Sequence, residues 1–214
     1  MNTLQSNSLQ VVLKSWKGFN SVINSFSDES SYPMEIEGVQ GSLCSFFTAF
    51  CGEKLSENVV VIVPGEREAQ ALATDLSTIL TDIPVYTLPW WGAIPYRSVP
   101  KGAAVFGERA SVLAKLAYSK DNFQERGIFI VTQRALQTPV PQPEYIKSLL
   151  FLISKGDAFD PVNLAERLVK QGYTRVPRVS VRGEFTLRGE VLDIFMPGEQ
   201  YAHRIVFDFE ERNE

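Results

Sequence analysis

Alternation between β-branched runs and helix-patterned segments constrains this fold more than any other feature of the sequence. Residues 58–63 (NVVVIV) and 127–132 (GIFIVT) are continuous apolar runs, typical of strands that are covered on both faces. Between them, residues 66–80 and 103–118 place apolar side chains at helical spacing on either side of a short strand-like run at 85–88. The order strand, helix, strand, helix, strand predicts parallel βαβ units and therefore an α/β domain.

A proline-rich segment divides the sequence. Residues 138–143 (TPVPQP) carry three prolines, which stiffen the backbone and remove hydrogen-bond donors. We therefore predict an α/β parallel-sheet domain at 35–143 and a smaller α+β module at 144–214. Residues 1–34 are predicted to hold an amphipathic helix and a linker, because apolar side chains recur at spacings of three and four over residues 9–26.

The predicted C-terminal module contains one helix and several strands. Asp160 and Pro161 form a helix start signal, since aspartate caps N-termini and proline favours the first helical position. Gly172 supplies the stop signal. Strand-like runs occupy residues 149–153, 174–181, 184–187, 190–195 and 204–209. A helix followed by antiparallel strands is an α+β arrangement. The sequence ends without a closing element, so we expect a longer parent protein.

Composition and charge exclude several classes of protein. Hydrophobic residues make up 44% of the chain and the formal net charge is −4, so neither disorder nor a generally basic, DNA-coating surface is expected. No apolar run reaches the roughly 18 residues of a membrane helix and no secretory signal is recognisable, which favours a cytoplasmic protein without membrane contact. A single histidine, His203, and the lack of a CxxC pair argue against a zinc site. Cys44 and Cys51 are expected to be reduced.

The stretch GVQGSLCS, residues 38–45, resembles a phosphate-binding loop that has lost its chemistry. Gly38 and Ser45 stand at the first and last positions of the GxxxxGK[ST] pattern, and Gly41 lies between them. Leu43 replaces the second glycine, and Cys44 replaces the lysine that neutralises phosphate charge. We predict that this loop binds and hydrolyses no ATP. Taken alone, the stretch is also compatible with a plain turn before a helix.

Four stretches, taken in order, resemble the bacterial transcription-repair coupling factor family (Mfd), in its N-terminal region related to the excision-repair protein UvrB. They are EGVQGSLCSFF, VVVIVPGEREAQALATDL, LPWWGAIPY with the following ERASVL, and LVKQGYTRVPRVSVRGEFTLRGEVLDIFMPG. The last is the most specific, and the resemblance covers about residues 35–214. A UvrB protein itself would keep the phosphate-loop lysine that is replaced here by Cys44.

The resemblance implies a role in DNA repair. Coupling factors find RNA polymerase stalled at a DNA lesion, release it with an ATP-driven DNA translocase and recruit UvrA. The polymerase-binding and motor domains, with their ATP and magnesium, lie C-terminal to the region present here. The resemblance therefore implies a degenerate P-loop NTPase-like domain at 35–143, like UvrB domain 1a, and a UvrA-binding module at 144–214, like UvrB domain 2. This chain would be a non-catalytic adaptor without a cofactor of its own; the alternatives are a UvrB-type DNA-loading ATPase and an unrelated α/β scaffold.

The resemblance also implies which residues contact UvrA. Arg188 and Arg204 match two family arginines associated with that contact. The third family contact is a phenylalanine, and Asp208 stands at its position here. We choose Phe209 rather than Phe207 as the exposed aromatic contact, although a core role for both phenylalanines is an open alternative.

A basic cluster precedes these positions. Six lysine and arginine residues lie between residues 167 and 188, against the single acid Glu184, and Arg182 among them is a further predicted UvrA contact. The cluster is either a solvated basic face or a docking surface for an acidic patch, for which arginine is well suited. Glu190 and Asp193 do not form a catalytic carboxylate pair, since residues three apart on a strand point to opposite faces; Asp193 is expected to pair locally or to cap a turn.

Trp90 and Trp91, between prolines, allow two interpretations. Aromatic rings in such a loop can stack on nucleic-acid bases or pack against the protein itself. The acidity of the chain favours packing and predicts little or no DNA binding by this region.

Overall fold

A computed structural model describes residues 11, 15–26, 28, 30, 32–90, 92, 104–122, 126–157 and 159–207 of the 214-residue chain. The chain forms two compact units, one from residues 1–90 and 121–139 and the other from residues 91–120 and 140–214. One of these divisions, at residues 139 and 140, falls within the proline-rich segment. The domain boundaries expected from the sequence, at residues 34/35 and 143/144, stay a prediction. None of the described helices is long and apolar enough to span a bilayer.

The first unit is built around a parallel three-stranded sheet. Its elements in chain order are α1 (Lys17–Ser25), α2 (Ser42–Lys54), β1 (Val59–Val63), α3 (Glu66–Ile79), β2 (Val85–Leu88), β3 (Ile128–Thr132) and α5 (Gln133–Leu136). The strand order is β1-β3-β2 with both pairings parallel. The predicted α/β class is therefore confirmed.

The core of this unit lies between the sheet and α3. Ala69, Leu72 and Leu76 on one face of α3 pack with Ile128 and Ile130 of the central strand. This packing confirms the helical periodicity that predicted α3.

The prediction that β1 is covered on both faces is wrong. Val63 is buried, but Val60 and Ile62 remain 53% and 54% exposed. β1 lies at an edge of the sheet, whereas the central strand β3 is buried along its whole length. An apolar run thus reports strand propensity at both positions, but only the central strand is covered on both faces.

The second unit contains a mixed four-stranded sheet. Its elements are most of α4 (Ala104–Asn122), then α6 (Pro143–Leu149), α7 (Pro161–Lys170), β4 (Thr174–Arg175), β5 (Glu184–Arg188), β6 (Val191–Ile194) and β7 (His203–Val206). The strand order is β4-β5-β6-β7, and β4 pairs with β5 in parallel while the other pairs are antiparallel. The sequence predicted antiparallel strands throughout this module. The parallel pairing of β4 with β5 shows that this prediction is wrong for that pair.

The start and end of α7 agree with the sequence signals. The Asp160 carboxylate accepts hydrogen bonds from the backbone N–H groups of Val162 and Asn163, at 3.0 and 3.3 Å. Gly172, just beyond the helix, adopts a φ of +93°, which favours glycine. The helix packs Leu164 and Leu168 against the inner face of the sheet.

Two predicted strands of this unit are wrong or shortened. Leu149 ends α6, and residues 150–153 have no regular structure, although Phe151 and Ile153 pack against the core. Periodicity cannot separate a short apolar strand from such a segment. The strand predicted at 174–181 comprises only Thr174–Arg175, because residues 177–183 form a loop.

Candidate partner-binding site

The outer face of the mixed sheet carries a groove lined by arginines. Cross-strand register places Thr186, Asp193 and Arg204 side by side on β5, β6 and β7, and Arg188 lies two residues further along β5. The alternation of side chains places these residues opposite the core face, which holds Phe185 and Leu192. We call this cavity of about 610 Å³ the arginine groove; it is lined by residues 177–179, Thr186, Arg188, Asp193 and residues 202–204.

Arg204 and Asp193 form a bidentate pair inside the arginine groove. Arg204 Nε donates to Asp193 Oδ1 at 2.6 Å, and Arg204 Nη2 donates to Oδ2 at 2.9 Å. The Arg204 side chain is 68% exposed and that of Asp193 26%. The hydrogen bonds from Arg204 lower the pKa of Asp193 against an opposing effect of burial, and the positive charges of Arg204 and Arg188 lower it further. The expectation that Asp193 pairs locally is confirmed.

Arg188 links the sheet to the loop that forms one wall of the groove. Its Nη2 donates to the backbone carbonyl of Pro177. Its charge contributes to the lowered pKa of Asp193. The two arginines that the family resemblance singled out, Arg188 and Arg204, therefore lie on one face and line one cavity.

Glu184 holds the loop in place. Its Oε2 accepts the backbone N–H groups of Ser180 and Val181 at 2.8 and 2.9 Å, and the Ser180 hydroxyl at 3.2 Å. These bonds lower the pKa of Glu184 below its ordinary range. Sequence reasoning treated Glu184 only as the single acid among basic residues and missed this role. The only local signal in the sequence was a glutamate directly after a glycine, Gly183, which the structure shows at a φ of +86°.

The other residues considered as UvrA contacts do not line the arginine groove in the described part of the chain. Arg182 donates from Nε to the Glu199 carbonyl at 2.8 Å, and its guanidinium lies 5.6 Å from the centre of the Phe195 ring. It is not among the residues that line the arginine groove. Phe207 is buried in the core of the second unit. Asp208 and Phe209 lie outside the described residues.

Comparison with known proteins identifies relatives of this chain. Residues 151–213 match the family described as the UvrB interaction domain. The chain is 29% identical over 203 residues to a transcription-repair-coupling factor of Bacillus subtilis, covering 94% of this chain and 17% of that protein. It is 34% identical over 152 residues to one of Mycobacterium tuberculosis, covering 70% of this chain and 12% of that protein. The chain belongs to the transcription-repair-coupling factor family.

The chain corresponds to the N-terminal, UvrB-like region of the coupling-factor family. It spans only 12–17% of the length of these two relatives. The whole arginine groove, residues 177–204, lies within the stretch that matches the UvrB interaction domain.

The glycine-rich loop of this coupling-factor chain leads into α2. Gly38 and Gly41 have φ angles of +80° and +56°, and Gly41 caps the helix, so Leu43, Cys44 and Ser45 lie in its first turn. The Ser45 hydroxyl, which a phosphate loop would turn toward magnesium, is buried and donates to Asp75 Oδ2 at 2.6 Å. This bond ties α2 to α3.

The two cysteines are free thiols on α2. Burial raises the pKa of Cys51 to about 11, which keeps it protonated at neutral pH. Among the residues that the structure describes, no cluster of histidine, cysteine, aspartate or glutamate is arranged to hold a metal ion.

Trp90 packs within the first unit. The Arg134 guanidinium lies 5.2 Å from the centre of its ring, and its backbone N–H donates to Glu66 Oε1 at 3.3 Å. Thr132 donates to the same carboxylate oxygen at 3.1 Å. These contacts favour the interpretation of Trp90 as a packed side chain. Trp91 lies outside the described residues.

Proposed function

We propose that this chain is a non-catalytic adaptor that recruits UvrA through the arginine groove. The observation that carries the proposal is the placement of Arg188 and Arg204 in one cavity, within residues that match the UvrB interaction domain. The family resemblance points to these two arginines by sequence position alone, and their placement in one groove supports the proposal.

The chemistry of the arginine groove favours an acidic partner. Arg178, Arg188 and Arg204 line it together with one carboxylate, Asp193, in a chain whose net charge is −4. A guanidinium presents a planar fork of N–H donors that matches a carboxylate in two bonds at once. A local cationic cavity of this kind attracts a carboxylate-rich protein surface and sets the register of docking. Arg182 and Phe209 remain predicted contacts.

The catalytic parts of the process belong to the longer protein in this proposal. The parent coupling factor would release stalled RNA polymerase and translocate on DNA with an ATP- and magnesium-dependent motor, C-terminal to this region. In this chain, Cys44 supplies no positive charge for a phosphate, and the Ser45 hydroxyl is bonded to Asp75. Both features support an adaptor rather than the alternative, a UvrB-type DNA-loading ATPase.

A binding measurement between this chain and purified UvrA tests the proposal. We expect Arg188→Ala and Arg204→Ala each to weaken binding, by about 2–5 kcal/mol if the contact is buried at the interface centre and by less at its rim. Binding should also weaken between low and high salt, since screening shortens the reach of exposed charges.

Arg67→Ala is the matched control for these variants. Arg67 is an exposed arginine on α3 of the first unit, so its loss removes the same charge away from the groove. Wild-type affinity in both groove variants, with all three proteins equally folded, would remove the assignment.

A further inference from the structure

The pairing of Arg204 with Asp193 uses one particular edge of the guanidinium. The two bonds come from Nε and Nη2, the side-on edge of the fork. A guanidinium has five N–H donors, so Nη1 and the outer N–H of Nη2 form a second, end-on edge. Within the described part of the chain, Arg204 makes no other hydrogen bond. The end-on edge has the geometry to take a second carboxylate in two further bonds.

We propose that Asp193 is a positioning residue, which fixes the guanidinium of Arg204 by its side-on edge so that the end-on edge receives a carboxylate of the partner protein. This inference rests on the proposed function of the arginine groove. It deepens that function by assigning separate tasks to the two sides of one guanidinium. Asp193 orients, and Arg204 binds.

The opposite role, in which Asp193 masks Arg204, fits the structure less well. Asp193 is the more buried of the two side chains, on the inner strand β6, while Arg204 on β7 stays 68% exposed. A masking carboxylate would cover the exposed side of the arginine, whereas here the carboxylate is the more buried partner and the arginine stays open to solvent. The groove also holds Arg178 and Arg188, so its charge remains positive with Asp193 ionised.

If Asp193 positions Arg204, this should change the measured affinity for the partner protein. An arginine side chain has several rotatable bonds, and a partner that must immobilise it loses affinity. A side chain held in place beforehand avoids this loss, which corresponds to about 2- to 12-fold in affinity. Removing the charge of Asp193 should therefore weaken binding, although it makes the groove more positive. This sign distinguishes positioning from simple charge attraction.

The test measures UvrA affinity for four forms of the full 214-residue chain. They are the unchanged chain, Asp193→Asn, Arg204→Ala and the double variant. Glu199→Gln is the matched control, because it removes one negative charge near the groove. Glu199 Oε2 lies 3.8 Å from Nε2 of His203, a groove residue, whereas Arg204 forms its ion pair with Asp193. Thermal unfolding of each variant checks that the fold is kept, and Asp193→Ala repeats the test without any remaining acceptor.

We expect Asp193→Asn and Asp193→Ala to bind about 2- to 12-fold more weakly than the unchanged chain, and Glu199→Gln to bind as tightly or more tightly. In the Arg204→Ala background, the change at position 193 should cause no further loss of affinity, because the positioning effect acts only through Arg204. Asp193→Asn binding as tightly as Glu199→Gln, or a loss that persists without Arg204, would overturn the inference. Failure of the unchanged chain to bind UvrA would instead contradict the proposed function and the inference with it.

Discussion

Glu184 shows how one carboxylate can order a whole binding loop. It accepts the backbone N–H groups of two consecutive residues, Ser180 and Val181, and thereby closes the loop that carries Arg178. The lowered pKa of Glu184 gives this contact a pH dependence. A folded-state pKa below that of the unfolded chain means that the contribution is complete above the ordinary glutamate range, about pH 4–5, and is lost as the pH falls through the folded-state value.

We therefore expect Glu184→Gln to loosen the loop at neutral pH, because the neutral amide accepts N–H bonds more weakly than a carboxylate. Hydrogen exchange at the amides of Ser180 and Val181 should become several-fold faster than in the unchanged chain. Glu190→Gln, an exposed carboxylate in the turn after β5, is the control and should leave both amides unchanged. Equal protection in Glu184→Gln and the unchanged chain would show that the loop does not depend on this carboxylate.

The contact between α4 and the connection from β6 to β7 depends on two glycines. A Cβ added at Gly107 would lie 2.6 Å from Pro197 Cβ and 3.5 Å from its Cα. A Cβ added at Gly198 would lie 2.5 Å from the Ser111 hydroxyl oxygen, at a backbone φ of +83°. The helix and the connection thus approach too closely for any side chain between them.

Gly107→Ala is expected to lower the stability of the chain by about 1–3 kcal/mol through overpacking. Helix propensity acts in the other direction, since alanine is favoured over glycine by about 1 kcal/mol in a helix interior. Chemical denaturation measures the net effect. Ala110→Gly, at an exposed position of the same helix, is the control that isolates propensity and should cost about 1 kcal/mol. A stabilised Gly107→Ala variant would mean that Pro197 moves aside readily.

Sequence signals predicted the elements whose pattern is local. Helix α3 follows from apolar periodicity, and α7 from Asp160 and Gly172, because a cap and a stop act within one turn. Residues 150–153 were predicted wrongly as a strand, since their apolar side chains pack on the core without joining a ladder. What decides such a segment is the surface it meets, which the sequence around it does not state.

The candidate site was predictable only in part, because it depends on register between strands. Arg188 and Arg204 were found through the family resemblance, and the structure brings them to one groove. The bidentate bond from Arg204 to Asp193 requires β6 and β7 to pair in one particular register, which places residues 11 positions apart directly opposite each other. A shift of one residue would move Asp193 to the core face.

The first unit is expected to bind no nucleotide, whereas the second is expected to bind a partner protein. The expectation for the first unit can be tested through the thermal stability of the whole chain. A ligand that binds only the folded state stabilises it by about 2.7 kcal/mol at a concentration of 100 times its Kd. For a chain of this size, each 1 kcal/mol raises Tm by about 2–4 °C. With Cys44 in the lysine position and the Ser45 hydroxyl bonded to Asp75, we expect millimolar Mg-ATP to leave Tm unchanged relative to magnesium chloride alone. Isothermal titration should agree; binding with a micromolar Kd would contradict the adaptor assignment and favour a UvrB-type ATPase.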